Sequence, residues 1–497
     1  MPEEKINIKE LVLNNEKEVV YKIVKEILVL FKIDITNTDS TYDSIEICNT
    51  EQNCIPVAVT TKIIFKTGAN SICLQKKSIA DNDEKPRAAI NRLIKWNLYH
   101  LLSEQFGSVI APWGILHGVR PTKIVHRYIE AGYNRAQIID KFIKNYAVTE
   151  DKALLLTDIA YKQLPILQTS DKNTISIYIG IPFCLSRCLY CSFPSNLLPD
   201  SSVLDAFMQA LSSEIAVLKQ LIAQYSLKVQ TIYIGGGTPT SLPEKYFSDL
   251  LRQANKLKTN DTIEFTVEAG RPDSINKEKI DLMQTYNVSR ISVNPQTMQD
   301  KTLKVIGRKH TAQDIIDTYN EIRQITTAKV NMDLIIGLPG ETAADVEDTL
   351  NKVIAMAPDD ITVHALAIKK GSYLKLHQTD INIPDDDTAR NMAAIASKLL
   401  SQNGYSPYYL YRQGYMSGQL ENIGYCLKNS ASIYNVQIMS EKQTILGIGG
   451  NASTKVVAPS GTYLKTLFNP KDLKTYLQSV NEYSMRRISL MEEVYEK

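Results

Sequence analysis

The sequence predicts an α/β protein centred on a (β/α)6 partial barrel, with an α+β N-terminal region and a C-terminal accessory region. Between residues 171 and 380, six strand-like runs alternate with stretches of helical periodicity, which is typical of βα units around a parallel sheet. The fifth run also alternates apolar and polar side chains, as expected of a strand that lines a cavity. The predicted domains are 1–170, 171–380 and 381–497.

The N-terminal region, 1–170, mixes helical and strand-like patterns. Helical periodicity over residues 19–31 is followed by strand-like runs at 55–65 and 71–75. From residue 86 to about 164 the pattern is mainly helical. These patterns predict an α+β region and assign no role to it.

The central region contains the strands of the predicted barrel. Helical periodicity separates them, for instance over 203–222 and 344–355. The six strand-like runs are 175–181, 229–234, 263–268, 290–294, 329–337 and 360–368.

The fifth run decides between a doubly wound sheet and a barrel. Its polar residues, Asn331 and Asp333, share one face, and four apolar side chains share the other. A polar face on a central parallel strand favours a barrel with a lined interior, whose functional residues lie at the carboxyl ends of the strands. The apolar residues are Val330, Met332, Leu334 and Ile336.

Composition excludes several classes of protein. The chain has 497 residues, 44% of them hydrophobic, and 56 Lys+Arg against 54 Asp+Glu give a net charge of +2. Such a small net charge gives no sign of the positively charged surface that binds nucleic acid. The first ten residues lack an apolar signal core, and the apolar run 27–31 is too short for a membrane span. We therefore expect a cytoplasmic protein.

The seven cysteines are an odd number, which argues against a disulfide framework. Three of them, Cys184, Cys188 and Cys191, follow the first barrel strand within eight residues. Such thiolates can converge on zinc or on an iron–sulfur cluster. A structural zinc takes four ligands, whereas three thiolates on a four-iron cluster leave one iron open. The alternatives are a zinc site with a distant fourth ligand and a chance grouping.

A glycine-rich turn, Gly235-Gly236-Gly237-Thr238-Pro239, ends the second strand. Glycines allow the backbone to approach a ligand closely. The alternative is a tight βα turn without a ligand. The turn lacks the Gly-x-Gly-x-x-Gly spacing of a dinucleotide fingerprint.

Polar residues also mark the later strands. Glu268 ends the third strand and Gln296 follows the fourth, while Arg308 and Asp333 come next along the chain. Each residue alone has a structural explanation, such as a capping carboxylate or a surface arginine. Together they place polar groups around one mouth of the barrel, as expected of a binding site.

The motif Cys-x3-Cys-x-Tyr-Cys after Tyr178-Ile-Gly-Ile-Pro-Phe resembles the radical S-adenosylmethionine (SAM) superfamily. Over about 171–370 the sequence resembles the oxygen-independent coproporphyrinogen III dehydrogenases, and its long N-terminal and Tyr-rich C-terminal parts resemble their Z-type branch. The resemblance implies a [4Fe-4S] cluster whose open iron chelates SAM, and reductive cleavage of SAM to a 5′-deoxyadenosyl radical. It also implies a reducing electron donor such as a flavodoxin or a ferredoxin.

The resemblance further implies roles for single residues. Tyr178 matches a catalytic tyrosine that also contacts SAM. The resemblance implies that Tyr190 packs against the adenine and that Ala365 contacts the adenosyl group only through its backbone. Packing in the barrel is the alternative for both tyrosines. The implied cluster ligands are Cys184, Cys188 and Cys191. The residues implied to hold the rest of SAM are Gly236, Gly237, Thr238, Glu268, Gln296, Arg308 and Asp333.

A tyrosine-rich segment, 408–415, is the predicted substrate side. Its aromatic rings offer flat apolar area, and Arg412 can pair bidentately with a propionate. Gln413 begins a Gln-Gly-Tyr stretch that is similar to one near the substrate of the dehydrogenases. The alternative is a subdomain that only packs on the barrel.

The sequence departs from the dehydrogenase pattern at two positions. Gly180 stands where a histidine is common, and Phe193 stands where a fourth cysteine is common. Phe193 is similar instead to the related haem chaperones. Their His-Asn-x-x-Tyr-Trp motif is missing, since only Tyr434-Asn435 remains of it.

Two functional hypotheses follow. The first is SAM-dependent oxidative decarboxylation of coproporphyrinogen III to protoporphyrinogen IX, with a tetrapyrrole as the small-molecule substrate. The second is a haem-binding carrier on the same barrel. A radical enzyme acting on RNA is a third hypothesis, which the near-neutral charge disfavours.

Overall fold

The computed structural model describes residues 6–14, 17–36, 40–52, 56–81, 84–109, 111–191, 193, 195–367, 382–413, 417–461 and 463–496. The chain forms two compact units, Met1–Asp158 and Ile159–Lys497. The three-part division made from the sequence stays a prediction.

The first unit contains a five-stranded sheet in the order β2-β1-β3-β4-β5. Strand β1 runs parallel to β2 and β3, and the last three strands form an antiparallel meander. The strands are β1 (Ile6–Leu13), β2 (Ile33–Ile35), β3 (Tyr42–Gln52), β4 (Ala58–Thr67) and β5 (Asn70–Ile79).

Helices accompany this sheet, in agreement with the predicted α+β pattern. The first helix buries Val20, Val24 and Ile27 on one stripe. In the second helix, Asn97 donates a buried hydrogen bond to the Val59 carbonyl at 3.0 Å. The helices are α1 (Glu18–Leu30), α2 (Pro86–Phe106), α3 (Thr122–Glu130), α4 (Arg135–Tyr146) and α5 (Glu150–Gln168), within which the boundary between the units lies.

The second unit is built on an eleven-stranded sheet with an added two-stranded ladder. The strands are β6 (Thr174–Ile181), β7 (Phe183–Cys184), β8 (Asn196–Leu197), β9 (Lys228–Gly236), β10 (Glu264–Gly270), β11 (Arg290–Val293), β12 (Lys329–Ile336), β13 (Asp360–Ala365), β14 (Ser406–Tyr411), β15 (Asn422–Cys426), β16 (Thr444–Gly449), β17 (Ser453–Val457) and β18 (Leu464–Phe468). The helices are α6 (Ser201–Gln224), α7 (Glu244–Asn255), α8 (Lys277–Thr285), α9 (Asp300–Val305), α10 (Ala312–Ile325), α11 (Ala343–Met356), α12 (Asp386–Gln402), α13 (Ile433–Ser440) and α14 (Leu473–Tyr495).

The predicted (β/α)6 partial barrel is confirmed. Strands β6, β9, β10, β11, β12 and β13 are neighbours in chain order, and every pair is parallel. Because right-handed crossovers that always move in one direction place their helices on one face, the other face becomes the interior. The predicted sixth strand is shorter than expected, since β13 ends at Ala365.

Residues beyond 380 extend the same sheet on both sides. Strand β16 runs parallel to β6 at one edge. At the other edge β15 is antiparallel to β13, and β14 is antiparallel to β15. Strand β14 therefore runs in the same direction as the barrel strands, and its carboxyl end lies at the same edge of the sheet as theirs.

The two faces of β12 differ as the sequence predicts. Val330 and Met332 are fully buried, whereas Asn331 and Asp333 keep accessible surface. The Asn331 amide donates to the Asp333 carboxylate at 2.9 Å. The polar side chains of this strand thus contact each other on its inner face.

A segment before and within α13 lies at the amino ends of the barrel strands. Glu264, the first residue of β10, accepts the backbone N–H groups of Ile433 and Tyr434, each at 2.9 Å. Arg290, the first residue of β11, donates to the Ser430 carbonyl at 2.7 Å and pairs with Asp360. These contacts hold the start of α13 at the amino-terminal edge.

Among the described residues, no helix combines the length and the apolar character that crossing a membrane requires.

Candidate functional site

The loop with three cysteines follows β6 at the carboxyl edge of the barrel. The short strands β7 and β8 pair at its base, with Cys184 opposite Leu197. At its far side the Leu189 N–H donates to the Ile306 carbonyl at 3.0 Å. All three thiols are partly exposed, so the loop presents them at the surface of the barrel mouth.

The thiols are close enough to influence one another. Burial raises the pKa of the Cys191 thiol, and Cys188 and Cys184 raise it further by repulsion between thiolates. The Thr238 hydroxyl donates to the Cys184 sulfur at 3.5 Å, and an Arg271 N–H points to the Cys188 sulfur at 3.9 Å. A bound cation would relieve this repulsion, as expected of a thiolate centre.

The glycine turn packs directly against the cysteine loop. The Gly237 N–H donates to the Ile181 carbonyl at 2.8 Å, and the Thr238 N–H donates to the Phe183 carbonyl at 2.7 Å. A Cβ atom on Gly237 would lie 2.5 Å from the Phe183 carbonyl oxygen, and Gly236 has φ +113°. Both positions therefore require glycine.

We expect Gly237→Ala to destabilise the protein by about 1–3 kcal/mol, because the new methyl group would overlap backbone atoms. Thermal unfolding and iron content after cluster reconstitution measure the effect. Gly118→Ala is the matched control, since its Cβ would meet no atom within 4 Å. Unfolding and iron binding like those of the wild type would contradict the close contact.

Glu268 connects the glycine turn to the barrel interior. One carboxylate oxygen accepts the Tyr233 hydroxyl at 2.5 Å, and the other accepts the Gly236 N–H at 3.0 Å. Burial raises the pKa of this carboxyl. Glu268 thus supports the turn, and the remaining lone pairs of its oxygens are available to a ligand.

The surroundings of Tyr178 are compatible with the predicted contact with SAM and with the alternative of packing inside the barrel. Its ring stacks on Tyr233 and Tyr434 at centroid distances of 6.0 and 6.3 Å. A Cβ atom on Gly236 would lie 3.3 Å from the Tyr178 hydroxyl, which places that hydroxyl at the glycine turn. Tyr233 was missed from the sequence. It lies on the inner face of β9, and its apolar neighbours along the strand point to the other face.

Gln296 has an unusual backbone conformation, with φ +66°. Its N–H donates to the Asp333 carbonyl at 2.9 Å, and its carbonyl accepts the Ile335 N–H at 2.9 Å. These two bonds hold it in the left-handed region, which is costly for a residue other than glycine and frequent at functional sites. Gln296 and Asp333, both predicted to hold SAM, are thus neighbours.

The turn at Gln296 is supported by a buried carboxyl group. The Thr297 hydroxyl donates to Glu341 at 2.5 Å. Burial raises the pKa of Glu341 to about 7, although the Thr297 hydrogen bond opposes the shift.

This pKa gives a testable dependence of stability on pH. Between the ordinary pKa of 4.5 and about 7, the unfolded chain releases the Glu341 proton while the folded chain keeps it, so stability falls as pH rises. In Glu341→Gln this component is absent. Denaturant unfolding at pH 4 and pH 8 measures the free energy of unfolding of both proteins. Relative to the wild type, we expect that of the variant to rise by at most about 3 kcal/mol from pH 4 to pH 8. The same difference between the two proteins at both pH values would contradict a protonated Glu341.

Arg308 and Tyr190, predicted separately, are in contact. Arg308 donates to the Tyr190 hydroxyl at 2.8 Å, while its Nε atom is buried and has no hydrogen-bond partner among the described residues. Burial and the neighbouring Arg308 lower the pKa of His310 to about 4. Arg308, and not His310, is therefore the positively charged group here. Its Nε–H is a hydrogen-bond donor that a ligand could use.

A histidine that the sequence analysis missed lies beside Asp333. The His364 ring is 3.8 Å from the Asp333 carboxylate and 3.1 Å from the Tyr411 hydroxyl. Burial would raise the pKa of Asp333, but hydrogen bonds from His364 and Asn331 hold it below its ordinary value. Ala365, the next residue, donates its N–H to the Asn422 side-chain oxygen at 3.0 Å. Its contact with the adenosyl group stays a prediction.

Arg412 and Gln413 follow the carboxyl end of β14. Arg412 donates to the Gln419 carbonyl at 3.5 Å. Burial lowers its pKa to about 10, which the nearby Glu421 partly offsets. Gly414 and Tyr415, the end of the predicted substrate segment, lie outside the described residues.

The structure explains one departure from the dehydrogenase pattern. A Cβ atom on Gly180 would lie 2.5 Å from the Gly450 carbonyl oxygen. Strand β16 and its turn therefore occupy the room that a histidine side chain would need. Phe193 is 44% exposed, so it packs little against the loop.

Comparisons with known proteins agree with this geometry. The family model of the Radical SAM superfamily matches residues 178–353. The chain is 36% identical over 415 residues to the oxygen-independent coproporphyrinogen-III oxidase-like protein HemZ of Bacillus subtilis (strain 168), covering 82% of each chain. The chain belongs to the radical SAM superfamily. Within it, the chain belongs to the coproporphyrinogen dehydrogenase family, in the Z-type branch.

The chain is also similar to a haem chaperone and, in fold, to a solved structure. The chain is 31% identical over 237 residues to the heme chaperone HemW of Bacillus subtilis (strain 168), which covers 47% of this chain and 62% of that protein. The structure of coproporphyrinogen III oxidase (HemN) from Escherichia coli matches with a TM-score of 0.51 and 22% identity, over 65% of this chain and 73% of that one. The structural match supports the fold.

As a radical SAM protein, the chain uses a [4Fe-4S] cluster and SAM. The residues present fit both groups. Three thiols lie on one loop and are partly exposed, and the glycine turn beside that loop has no room for a side chain. The buried Nε of Arg308 has no hydrogen-bond partner among the described residues. Among the described residues, no three His, Cys, Asp or Glu side chains form a site for a single metal ion. The assignment of Cys184, Cys188 and Cys191 as ligands therefore stays a prediction from the motif.

Proposed function

We propose that this protein oxidatively decarboxylates coproporphyrinogen III to protoporphyrinogen IX in haem biosynthesis. The position of Arg412 and Gln413 carries the proposal. Because β14 runs parallel to β13, these residues follow a strand that ends at the same edge as the cysteine loop. A carboxylate-bearing substrate at the barrel mouth would meet Arg412 on one side and the predicted SAM site on the other.

The chain's own side chains suit a porphyrinogen. Tyr409 and Tyr411 stack with an interplanar angle of 6° and offer flat apolar surface. Arg412 would pair with a propionate, because a half-buried guanidinium gains a strong charge-assisted bond from a carboxylate. When bound, the cluster and SAM would supply a 5′-deoxyadenosyl radical able to take a hydrogen atom from a propionate β-carbon. Loss of CO2 and transfer of one electron to an external acceptor would then leave a vinyl group.

Tyr178, Glu268, Gln296, Arg308 and Asp333 would orient SAM in this proposal. Each lies on the inner face of the barrel or at its carboxyl edge, and three of them are linked through backbone or side-chain hydrogen bonds to the glycine turn or to one another. Preorganised polar groups of this kind need no rearrangement when the ligand arrives.

A haem carrier is the second candidate, supported by the similarity to the heme chaperone HemW. Tyr434 argues against it, since this residue is 7% exposed, its N–H is bound by Glu264, and its ring stacks on Tyr233 at 4.4 Å. The remnant of the chaperone motif is thus buried inside the barrel rather than offered to a ligand.

One assay separates the two candidates. The reconstituted protein is incubated anaerobically with SAM, a reductant, an electron acceptor and coproporphyrinogen III, and tetrapyrroles are separated by chromatography. We expect the tricarboxylic intermediate and then protoporphyrinogen IX. Stoichiometric haem binding without decarboxylated product would favour the carrier. An Arg412→Lys variant should raise KM for the substrate, because lysine cannot bind a carboxylate bidentately.

A further inference from the structure

We propose that Arg271 raises the reduction potential of the iron–sulfur cluster through the sulfur atom of Cys188, and that Asp273 offsets part of this effect. Arg271 is then a positioning residue that makes uptake of an electron by the cluster easier. The inference rests on the cluster that a radical SAM protein uses and on Cys188 as one of its ligands. It does not depend on which substrate the protein takes.

Arg271 follows β10 at the carboxyl edge of the barrel, and its backbone is fixed by hydrogen bonds. Its carbonyl accepts the Ser274 hydroxyl at 2.8 Å and the Ser274 N–H at 3.0 Å. Pro272, the next residue, begins a short helical turn. Only 3% of Arg271 is exposed. The side chain therefore extends from a fixed backbone into the protein and not into solvent.

All three nitrogen atoms of the Arg271 guanidinium group have protein partners. Nε and Nη2 donate to the two carboxylate oxygens of Asp273 at 2.9 and 2.7 Å. Nη1 donates to the Ser186 carbonyl at 3.0 Å and to the Cys188 sulfur at 3.9 Å. A bidentate ion pair fixes the plane of the guanidinium group. The pair with Asp273 thus holds a buried cation against the cysteine loop.

Each of the three thiols in the loop accepts a hydrogen bond from the protein. The Thr238 hydroxyl donates to Cys184 at 3.5 Å, and the Phe193 backbone N–H donates to Cys191. Those two donors are neutral, whereas the donor to Cys188 carries a positive charge. Cys188 is therefore the thiol through which a charged side chain acts on the loop.

The direction of the effect follows from the charge that reduction adds. A cluster gains one negative charge when it takes up an electron, so a nearby cation stabilises the reduced form more than the oxidised form. Net charge and hydrogen bonds to the sulfur atoms are among the properties that set cluster potentials. Groups behind the ligands tune a metal centre in this way. Arg271 therefore raises the potential, and Asp273, as a nearby anion, lowers it.

The test is a redox titration of the reconstituted protein in the absence of SAM. The electron paramagnetic resonance signal of the reduced cluster is followed against the applied potential, after iron and sulfide contents have been measured. Three variants are compared with the wild type. They are Arg271→Gln, Asp273→Asn and the double variant that combines the two changes.

The matched control is a second Arg–Asp pair in the same unit. Arg323 donates to Asp359 at 2.7 Å, and both side chains are partly buried. Asp359 comes directly before β13, so this pair lies at the amino-terminal edge of the barrel, opposite to the cysteine loop. Arg323→Gln and Asp359→Asn repeat the two single changes there, and we expect both to keep the wild-type potential.

The two single variants at the loop should shift the potential in opposite directions. We expect Arg271→Gln to make reduction of the cluster about tenfold less favourable, which is a shift of about 59 mV to lower potential for one electron. Asp273→Asn should shift it to higher potential, because the arginine keeps its charge and loses its counter-charge. The double variant should lie close to the wild type, since both charges are gone.

Opposite signs separate an effect of charge from damage to the loop, which would move both single variants in the same direction. Unchanged potentials, or shifts of the same sign, in Arg271→Gln and Asp273→Asn would overturn the proposal. If Arg271→Gln does not retain its cluster, Asp273→Asn decides: a higher potential supports the proposal, and a lower or unchanged one contradicts it. Because no tetrapyrrole is present, a wrong substrate assignment leaves these results unchanged.

Discussion

Cys188→Ala is expected to abolish the iron–sulfur cluster and, with it, cleavage of SAM. Three thiolates are the smallest set that holds a four-iron cluster with one iron left for SAM, so removing one leaves two protein ligands. Cys188 comes between the other two cysteines in the sequence, and its thiol interacts with both Cys191 and Arg271. Iron and sulfide content and the visible absorbance of the reconstituted variant measure the loss.

The matched control is Cys73→Ala. Cys73 is an exposed cysteine on β5 in the first unit. It should retain wild-type iron content and SAM cleavage. Full iron content in Cys188→Ala, with normal SAM cleavage, would contradict the three-thiolate cluster.

Glu268→Ala is expected to weaken SAM binding by roughly 10- to 100-fold, from the loss of two charge-assisted hydrogen bonds that hold the site together. The carboxylate accepts both the Tyr233 hydroxyl and the Gly236 N–H. Without it, the glycine turn loses its support and SAM loses a predicted partner. Titration of SAM into the anaerobic holoprotein measures the affinity.

Two variants separate support of the turn from contact with SAM. Tyr233→Phe removes one hydrogen bond to Glu268 and keeps the carboxylate, so we expect a smaller loss than in Glu268→Ala. Glu268→Gln keeps an acceptor but removes the charge and should lie between the two. Wild-type affinity in Glu268→Ala would show that SAM binds elsewhere.

The barrel could be predicted because its strands and helices alternate with clear periodicity. Asn331 and Asp333 identified an inner face, and β12 places them there. Helix α1 also begins and ends within one residue of the predicted range 19–31. Helix α2 begins at Pro86 as predicted, because proline suits the first position of a helix.

The outer strands could not be predicted from local pattern. Strand β16 pairs with β6 although more than 250 residues of chain separate them. Pairing over such a distance depends on complementary edges rather than on periodicity. For the same reason, no sequence pattern indicates that the turn at Gly450 occupies the space beside Gly180.

The candidate site was predictable where a motif marks it and not where contacts create it. The cysteine loop, the glycine turn and Glu268 follow strands in a recognisable order. His364 carries no motif, and Tyr434 is marked only as a remnant of the chaperone motif. Their places in the site appear only when β13 and α13 bring them beside Asp333 and Tyr233. A polar or aromatic residue at an inner position of a barrel strand was the available signal for His364.

The most direct test of the proposed function follows the hydrogen atom. Coproporphyrinogen III carrying deuterium at its propionate β-carbons is incubated with the reconstituted protein, SAM, reductant and an electron acceptor, and the mass of the 5′-deoxyadenosine is measured. We predict 5′-deoxyadenosine with one deuterium, formed together with vinyl product. Unlabelled 5′-deoxyadenosine beside unchanged coproporphyrinogen would contradict the proposed function.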